Sequence, residues 1–187
     1  KNMAARMEQK QKELYHAHAQ RLALMLQNQT EEEFADSRFQ VLSELTRLRQ
    51  LCCDPALVYE NYEGGSAKLD LCIELIQSAV ESGHKILLFS QFTSMIEILT
   101  ARLQEESISY FVLQGSTKKE QRAQMVEQFN RDDTSVFCIS LKAGGTGLNL
   151  TGADIVIHYD PWWNLAVQNQ ATDRAHRIGQ QAHVQVY

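Results

Sequence analysis

The chain has 187 residues, 44% hydrophobic and 22% charged, with a net charge of −5. That is apolar material for one domain with an appended element, and the acidic balance argues against a stand-alone basic nucleic-acid binder. No apolar run approaches the roughly 18 residues of a membrane span, and no apolar signal core follows the polar N-terminus, so no membrane partner is expected.

The charge is uneven. Residues 54–84 hold one lysine, Lys68, against Asp54, Glu60, Glu63, Asp70, Glu74 and Glu81, while the flanks nearly cancel. If the chain touches DNA, it does so through a few placed groups or beside a more basic partner surface. Cys52, Cys53, Cys72 and Cys138 show no C-x-x-C spacing. Buried free thiols in a reducing compartment fit better than zinc or disulfides, and no metal site is expected.

Residues 2–28 lack glycine and proline and predict a long helix, with an imperfect apolar stripe of Met3, Met7, Leu14 and Met25. Residues 29–37 read as a surface connection. A second helix is expected over 38–53, with Val41, Leu45, Leu48 and Cys52 on one face, Leu42 beside them, and Asp54-Pro55 ending it. The irregular stretch 54–67 contains Gly64-Gly65-Ser66 and marks a boundary between a helical element, 1–65, and the main domain, 66–187.

From there strands and helices alternate. Helix 66–82 has Ser66 as N-cap and Gly83 as C-cap. Strand 85–90 precedes helix 94–106, which buries Met95, Ile98, Leu99 and Leu103. Strand 109–113 precedes helix 118–130, opened by a Thr117-x-x-Glu120 capping box. Strands 135–140 and 154–159, helix 164–177 and strand 183–187 complete the order. Short, continuously apolar strands alternating with helices predict an α/β fold, a parallel sheet with helices on both faces. Ligands of such sheets bind at the carboxyl ends of the strands.

Two motifs start at such ends. In Ser140-Leu141-Lys142-Ala143-Gly144-Gly145-Thr146-Gly147-Leu148-Asn149-Leu150-Thr151, three glycines within four positions let backbone N–H groups approach a ligand. The plainer reading is a strand-to-helix loop. The spacing is neither G-x-G-x-x-G nor the Walker A loop, which occurs nowhere in the chain. In Gln170-Ala171-Thr172-Asp173-Arg174-Ala175-His176-Arg177, helical spacing puts Gln170, Arg174 and Arg177 on one face. They would suit an external anion, although Asp173 lies four residues before Arg177 and a surface ion pair explains the pattern too.

Asp160-Pro161-Trp162-Trp163-Asn164 holds both tryptophans, placed either to stack on nucleic acid or to pack on the next helix. Ser90-Gln91-Phe92-Thr93 and Gln114-Gly115-Ser116-Thr117 end two other strands, as helix caps or as phosphate ligands. The histidines are scattered, and His16 and His18 read as a solvated helix face.

These residues resemble the second RecA-like lobe of helicase superfamily two, and within it the Swi/Snf-type DNA translocases. Lys85–Thr93 looks like motif four, Leu113–Ser116 with Phe129-Asn130 like the stretch after it, Ser140–Ala153 like motif five with Asp160–Asn164 as its extension, and Gln170–Gln180 like motif six. Leu48–Pro55 resembles the linker into this lobe, and residues 1–39 fit the family's helical protrusion. One departure is Asn164-Leu165, where many members have Asn-Pro.

The resemblance implies a fragment. The first lobe, with its phosphate-binding lysine and acidic magnesium motif, and a closing helical brace are expected elsewhere in a longer protein. ATP with magnesium would bind mainly to that N-terminal ATPase lobe, in the cleft it forms with this one. Arg174 and Arg177 would be arginine fingers, with Gln170, Gly145 and Gly147 lining the nucleotide. Ser90, Gln91, Ser140, Lys142 and Trp163 would grip double-stranded DNA, mostly by its backbone. A DNA-bound protein such as RNA polymerase is a further expected partner.

The isolated chain is expected neither to hydrolyse ATP nor to bind DNA tightly. The family flavour suggests a bacterial, cytoplasmic and nucleoid-associated protein, or a nuclear one if the source is eukaryotic. Alternatives within the superfamily are a strand-separating helicase and an RNA-polymerase-recycling ATPase. Alternatives from other classes are a self-contained nucleotide-binding enzyme, such as a methyltransferase, and an interaction module using the acidic 54–84 segment.

Overall fold

The computed structural model describes residues 1–141, 148–160 and 185–187. The chain divides into two compact units, Ala4–Leu71 and Cys72–Tyr187 with Lys1–Met3.

In the first unit, helices α1 (Gln9–Gln27) and α2 (Glu31–Cys53) are joined by three residues. Residues 31–37, expected as a connection, are therefore helical. The reason is a capping box: the Thr30 hydroxyl accepts the Glu33 N–H at 3.3 Å, and the Glu33 carboxylate accepts the Thr30 N–H at 2.8 Å. Glu31, Glu32 and Glu33 also sit in the first turn, where negative charge complements the helix dipole. At the other extreme α1 starts at Gln9, because helix-forming composition does not fix an end and Glu8 makes no side-chain cap.

The buried face of α2 carries Val41, Glu44, Leu51 and Cys53. Leu42 is exposed, and Leu45, Leu48 and Cys52 are half-buried, so the stripe is rotated from expectation. Polar groups explain part of the rotation. Glu44 is buried with Arg47 at 3.1 Å, and the Gln11 amide donates to the Leu51 carbonyl at 2.8 Å. His18 is not solvated either, since its Nε2 lies 2.6 Å from the Tyr59 hydroxyl. Asp54 caps the short 3₁₀ turn Pro55–Leu57 through the Ala56 N–H, 2.9 Å. Ser66 then opens helix α3 (Ala67–Glu81) by accepting the Leu69 N–H at 3.3 Å while donating to the Cys53 carbonyl at 2.9 Å.

The second unit is the expected parallel sheet, flanked by helices. Gly83, at φ 81°, ends α3 in the left-handed conformation that glycine adopts at least cost. Strands β1 (Ile86–Ser90), β2 (Tyr110–Leu113), β3 (Val136–Ser140) and β4 (Ile155–His158) are joined at one edge by the two-residue β5 (Gln185–Val186), in the order β2-β3-β1-β4-β5. All pairings are parallel, with Ser90 opposite Ser140 and Phe89 opposite His158. Strands β1 and β3 are buried along their whole length, which is why they read as unbroken apolar runs.

Helices α4 (Thr93–Glu105) and α5 (Lys119–Arg131) follow β1 and β2. Helix α4 buries Met95, Ile96, Leu99 and Leu103, so Ile96 takes the place expected of Ile98, which is half-buried. The expected capping box at Thr117 does not form. The Thr117 hydroxyl turns back to accept the Gln114 N–H at 3.1 Å, and α5 begins after Lys118. Beneath α5, Phe129 and Phe137 meet edge to face with centroids 5.2 Å apart, in a core with Leu87, Phe89, Leu113 and Ile139.

Candidate functional site

The carboxyl ends of β1, β3 and β4 lie side by side, and three of the residues singled out in the sequence sit there. Ser90 and Ser140 are register partners, and the Leu141 N–H donates to the Ser90 carbonyl at 3.0 Å. Both serines are buried, and Gln91 is only 7% exposed. The side chain that organises them is Asp160, two residues past β4. One carboxylate oxygen accepts the Ser90 hydroxyl at 2.5 Å, and the other accepts the Gln91 N–H at 3.0 Å. The Ser90 hydroxyl in turn accepts the Phe92 N–H at 3.2 Å. The Gln91 Nε2 has no hydrogen-bond partner among the described residues. The other singled-out residues, Lys142, Gly145, Gly147, Trp163, Gln170, Arg174 and Arg177, lie outside the described residues.

Sequence reading assigned no loop-fixing role to three side chains around this sheet, although Asp160 and Asn130 lie within its motifs. Asp160 is one. Arg122 of α5 gathers the loop after β2: its Nε donates to the Thr117 carbonyl at 2.9 Å, and its Nη2 to the carbonyls of Gln114 and Gly115 at 3.3 and 3.2 Å. Asn130, at the end of α5, donates to the Asn149 carbonyl and accepts the Gly152 N–H, both at 2.8 Å. These bonds join residues 5 to 70 positions apart, and no helix or strand period announces them.

The electrostatics of the described residues are those of a packed sheet. Lys85, just before β1, donates to the carbonyls of Phe129 and Asp132 and lies 4.2 Å above the Phe129 ring. Burial pulls its pKa down, against the opposing pull of Asp132 and Asp133. Burial also pushes the Cys138 thiol well up, with Cys72 adding to it, so this cysteine is no nucleophile. The four cysteines are free thiols. Among the described residues there is no group of three or more His, Cys, Asp or Glu fit to hold a metal, and no helix long and apolar enough to cross a membrane.

Comparison with known proteins fits this arrangement. Residues 67–179 match the helicase conserved C-terminal domain. The fold superimposes over 100% of this chain, and 39% of the other, on the Sulfolobus solfataricus SWI2/SNF2 ATPase core in complex with dsDNA, with a TM-score of 0.83 and 30% identity. An "Uncharacterized ATP-dependent helicase" of Mycoplasma pneumoniae is 45% identical over 81% of this chain. The "Putative ATP-dependent helicase/translocase YwqA" of Bacillus subtilis is 43% identical over 79%, and "Helicase swr1" of Schizosaccharomyces pombe 39% over 81%. The chain thus belongs to the helicase C-terminal domain family, as a RecA-like lobe of the SWI2/SNF2 type. It spans 12 to 17% of the length of these curated relatives, which come from both bacteria and eukaryotes.

Proposed function

We propose that this chain is the second motor lobe of an ATP-dependent double-stranded-DNA translocase, with residues 1–65 as its helical protrusion and linker. The observation that carries the reading is the likeness, over the whole chain, to an ATPase core whose structure is itself in complex with dsDNA. It is supported by the position of the motifs. The glycine-rich segment directly follows β3 and the Asp160–Arg177 segment directly follows β4, and parallel sheets of this kind bind ligands at those strand ends.

In this reading ATP, the substrate, sits between the lobes, with magnesium held mainly by the first. Gly145, Gly147 and Gln170 line the nucleotide. Arg174 and Arg177 place two permanent cations against the charge that develops on the transferring phosphoryl group. Ser90, Gln91, Ser140, Lys142 and Trp163 belong to the DNA-gripping edge, which follows the backbone and carries little base specificity. The lobes cycle between open and closed states because the nucleotide binds the two states with different affinity.

The test is ATP hydrolysis by the full-length protein, with and without duplex DNA, comparing wild type with Arg174→Ala/Arg177→Ala. Duplex DNA should stimulate the wild type. The double variant should still bind DNA and lose on the order of 10³-fold in turnover. Normal hydrolysis by the double variant would make both arginines surface residues.

A further inference from the structure

We propose that Asp160 is a positioning residue for the DNA-gripping edge, acting through Ser90 and Gln91. This rests on the motor-lobe reading above. The Ser90 hydroxyl is fully buried and already engaged in both directions, donating to Asp160 and accepting the Phe92 N–H. A hydroxyl so engaged serves DNA by holding its own segment, not by reaching out to a phosphate. The second carboxylate oxygen of Asp160 holds the Gln91 N–H.

Asp160 thereby fixes three successive residues, Ser90, Gln91 and Phe92, where β1 turns into α4. The turn needs such a clamp, because Phe92 at the helix N-cap offers no side-chain cap. The clamp leaves the Gln91 Nε2 buried and without a partner among the described residues, a donor still to be satisfied. A phosphate oxygen at this strand end can satisfy it once the carboxamide turns outward. Asp160 also begins the Asp160–Asn164 motif, so one side chain ties the motif after β4 to the motif after β1.

The experiment uses the full-length protein with Asp160→Asn, Ser90→Ala and the two combined. Asp160→Asn keeps the shape and one acceptor but turns an N–H donor toward the other partner. The duplex DNA concentration for half-maximal ATPase stimulation should rise on the order of tenfold for Asp160→Asn. It should rise less for Ser90→Ala. The combined variant should be little worse than Asp160→Asn, because members of one clamp are not additive. The KM for ATP should stay within about twofold of wild type, since positioning at this edge does not touch nucleotide binding.

The milder Ser90→Ala keeps the test open should Asp160→Asn fold poorly. An unchanged DNA requirement in the folded variants overturns the proposal, even if their melting temperature falls, because the clamp then only stabilises the fold. Additive effects of the two substitutions overturn it as well. Arg174→Ala/Arg177→Ala runs alongside as a control. If that variant hydrolyses ATP normally, the catalytic role read for this lobe fails. If it is inactive while the clamp variants respond to DNA like wild type, only the role of Asp160 fails.

Discussion

A Cβ built on Gly152 would lie 2.8 Å from the Asn130 Cα and 2.9 Å from its Oδ1. The nearer atom is backbone and cannot swing aside. Gly152 therefore earns its place by close approach, and its N–H is what Asn130 accepts. Gly152→Ala should cost roughly 1–3 kcal/mol, seen as a lower urea midpoint with an unchanged slope. A variant as stable as wild type would mean that the segment before β4 can move away from α5. The same logic of few atoms and fixed geometry applies to Ser90 and Asp160, where substitutions should alter DNA use more than nucleotide use.

Capping decided the elements more than composition did. Thr30-x-x-Glu33 and Thr117-x-x-Glu120 carry the same pattern, yet only the first forms a box. At Thr30 the competing partners are local and the connection is three residues long. At Thr117 the hydroxyl satisfies the Gln114 N–H instead, in a loop whose carbonyls Arg122 already gathers. Thr30→Ala should thus destabilise the helical unit by about 1 kcal/mol, readable as a shift in the urea midpoint, and Thr117→Ala should leave the α5 helix start unchanged in amide-exchange protection. The strands needed no such arbitration. Strands β1 and β3 are buried on both faces, so their unbroken apolar runs specify them, and their bounds fall within about a residue of expectation.

For the whole molecule, pH is the lever that the sheet exposes. His158, stacked on Phe89 with centroids 5.4 Å apart, has its pKa pulled down by burial from 6.5 to about 4. Its folded form binds a proton less readily than its unfolded form. The stabilisation is complete above pH 6.5 and drains away as the pH falls toward 4, by up to about 3 kcal/mol. Urea unfolding between pH 7.5 and 4.5 should show the decline, and His158→Phe should flatten it. An equally steep decline in the variant would assign the acid sensitivity to other groups.

The sequence by itself determined the alternation of helices and strands, the parallel sheet, the caps at Ser66 and Gly83, and the family, because these depend on periodicity, burial on both faces and contiguous motifs. It did not determine the rotation of α2, the cap of α5, or the clamps made by Asp160, Arg122 and Asn130. Buried polar atoms must find partners, and those partners are chosen by which segments meet in space. Ser90 and Asp160 are 70 positions apart in the chain and 2.5 Å apart in the fold, and only the parallel pairing of β1 with β4 brings them together.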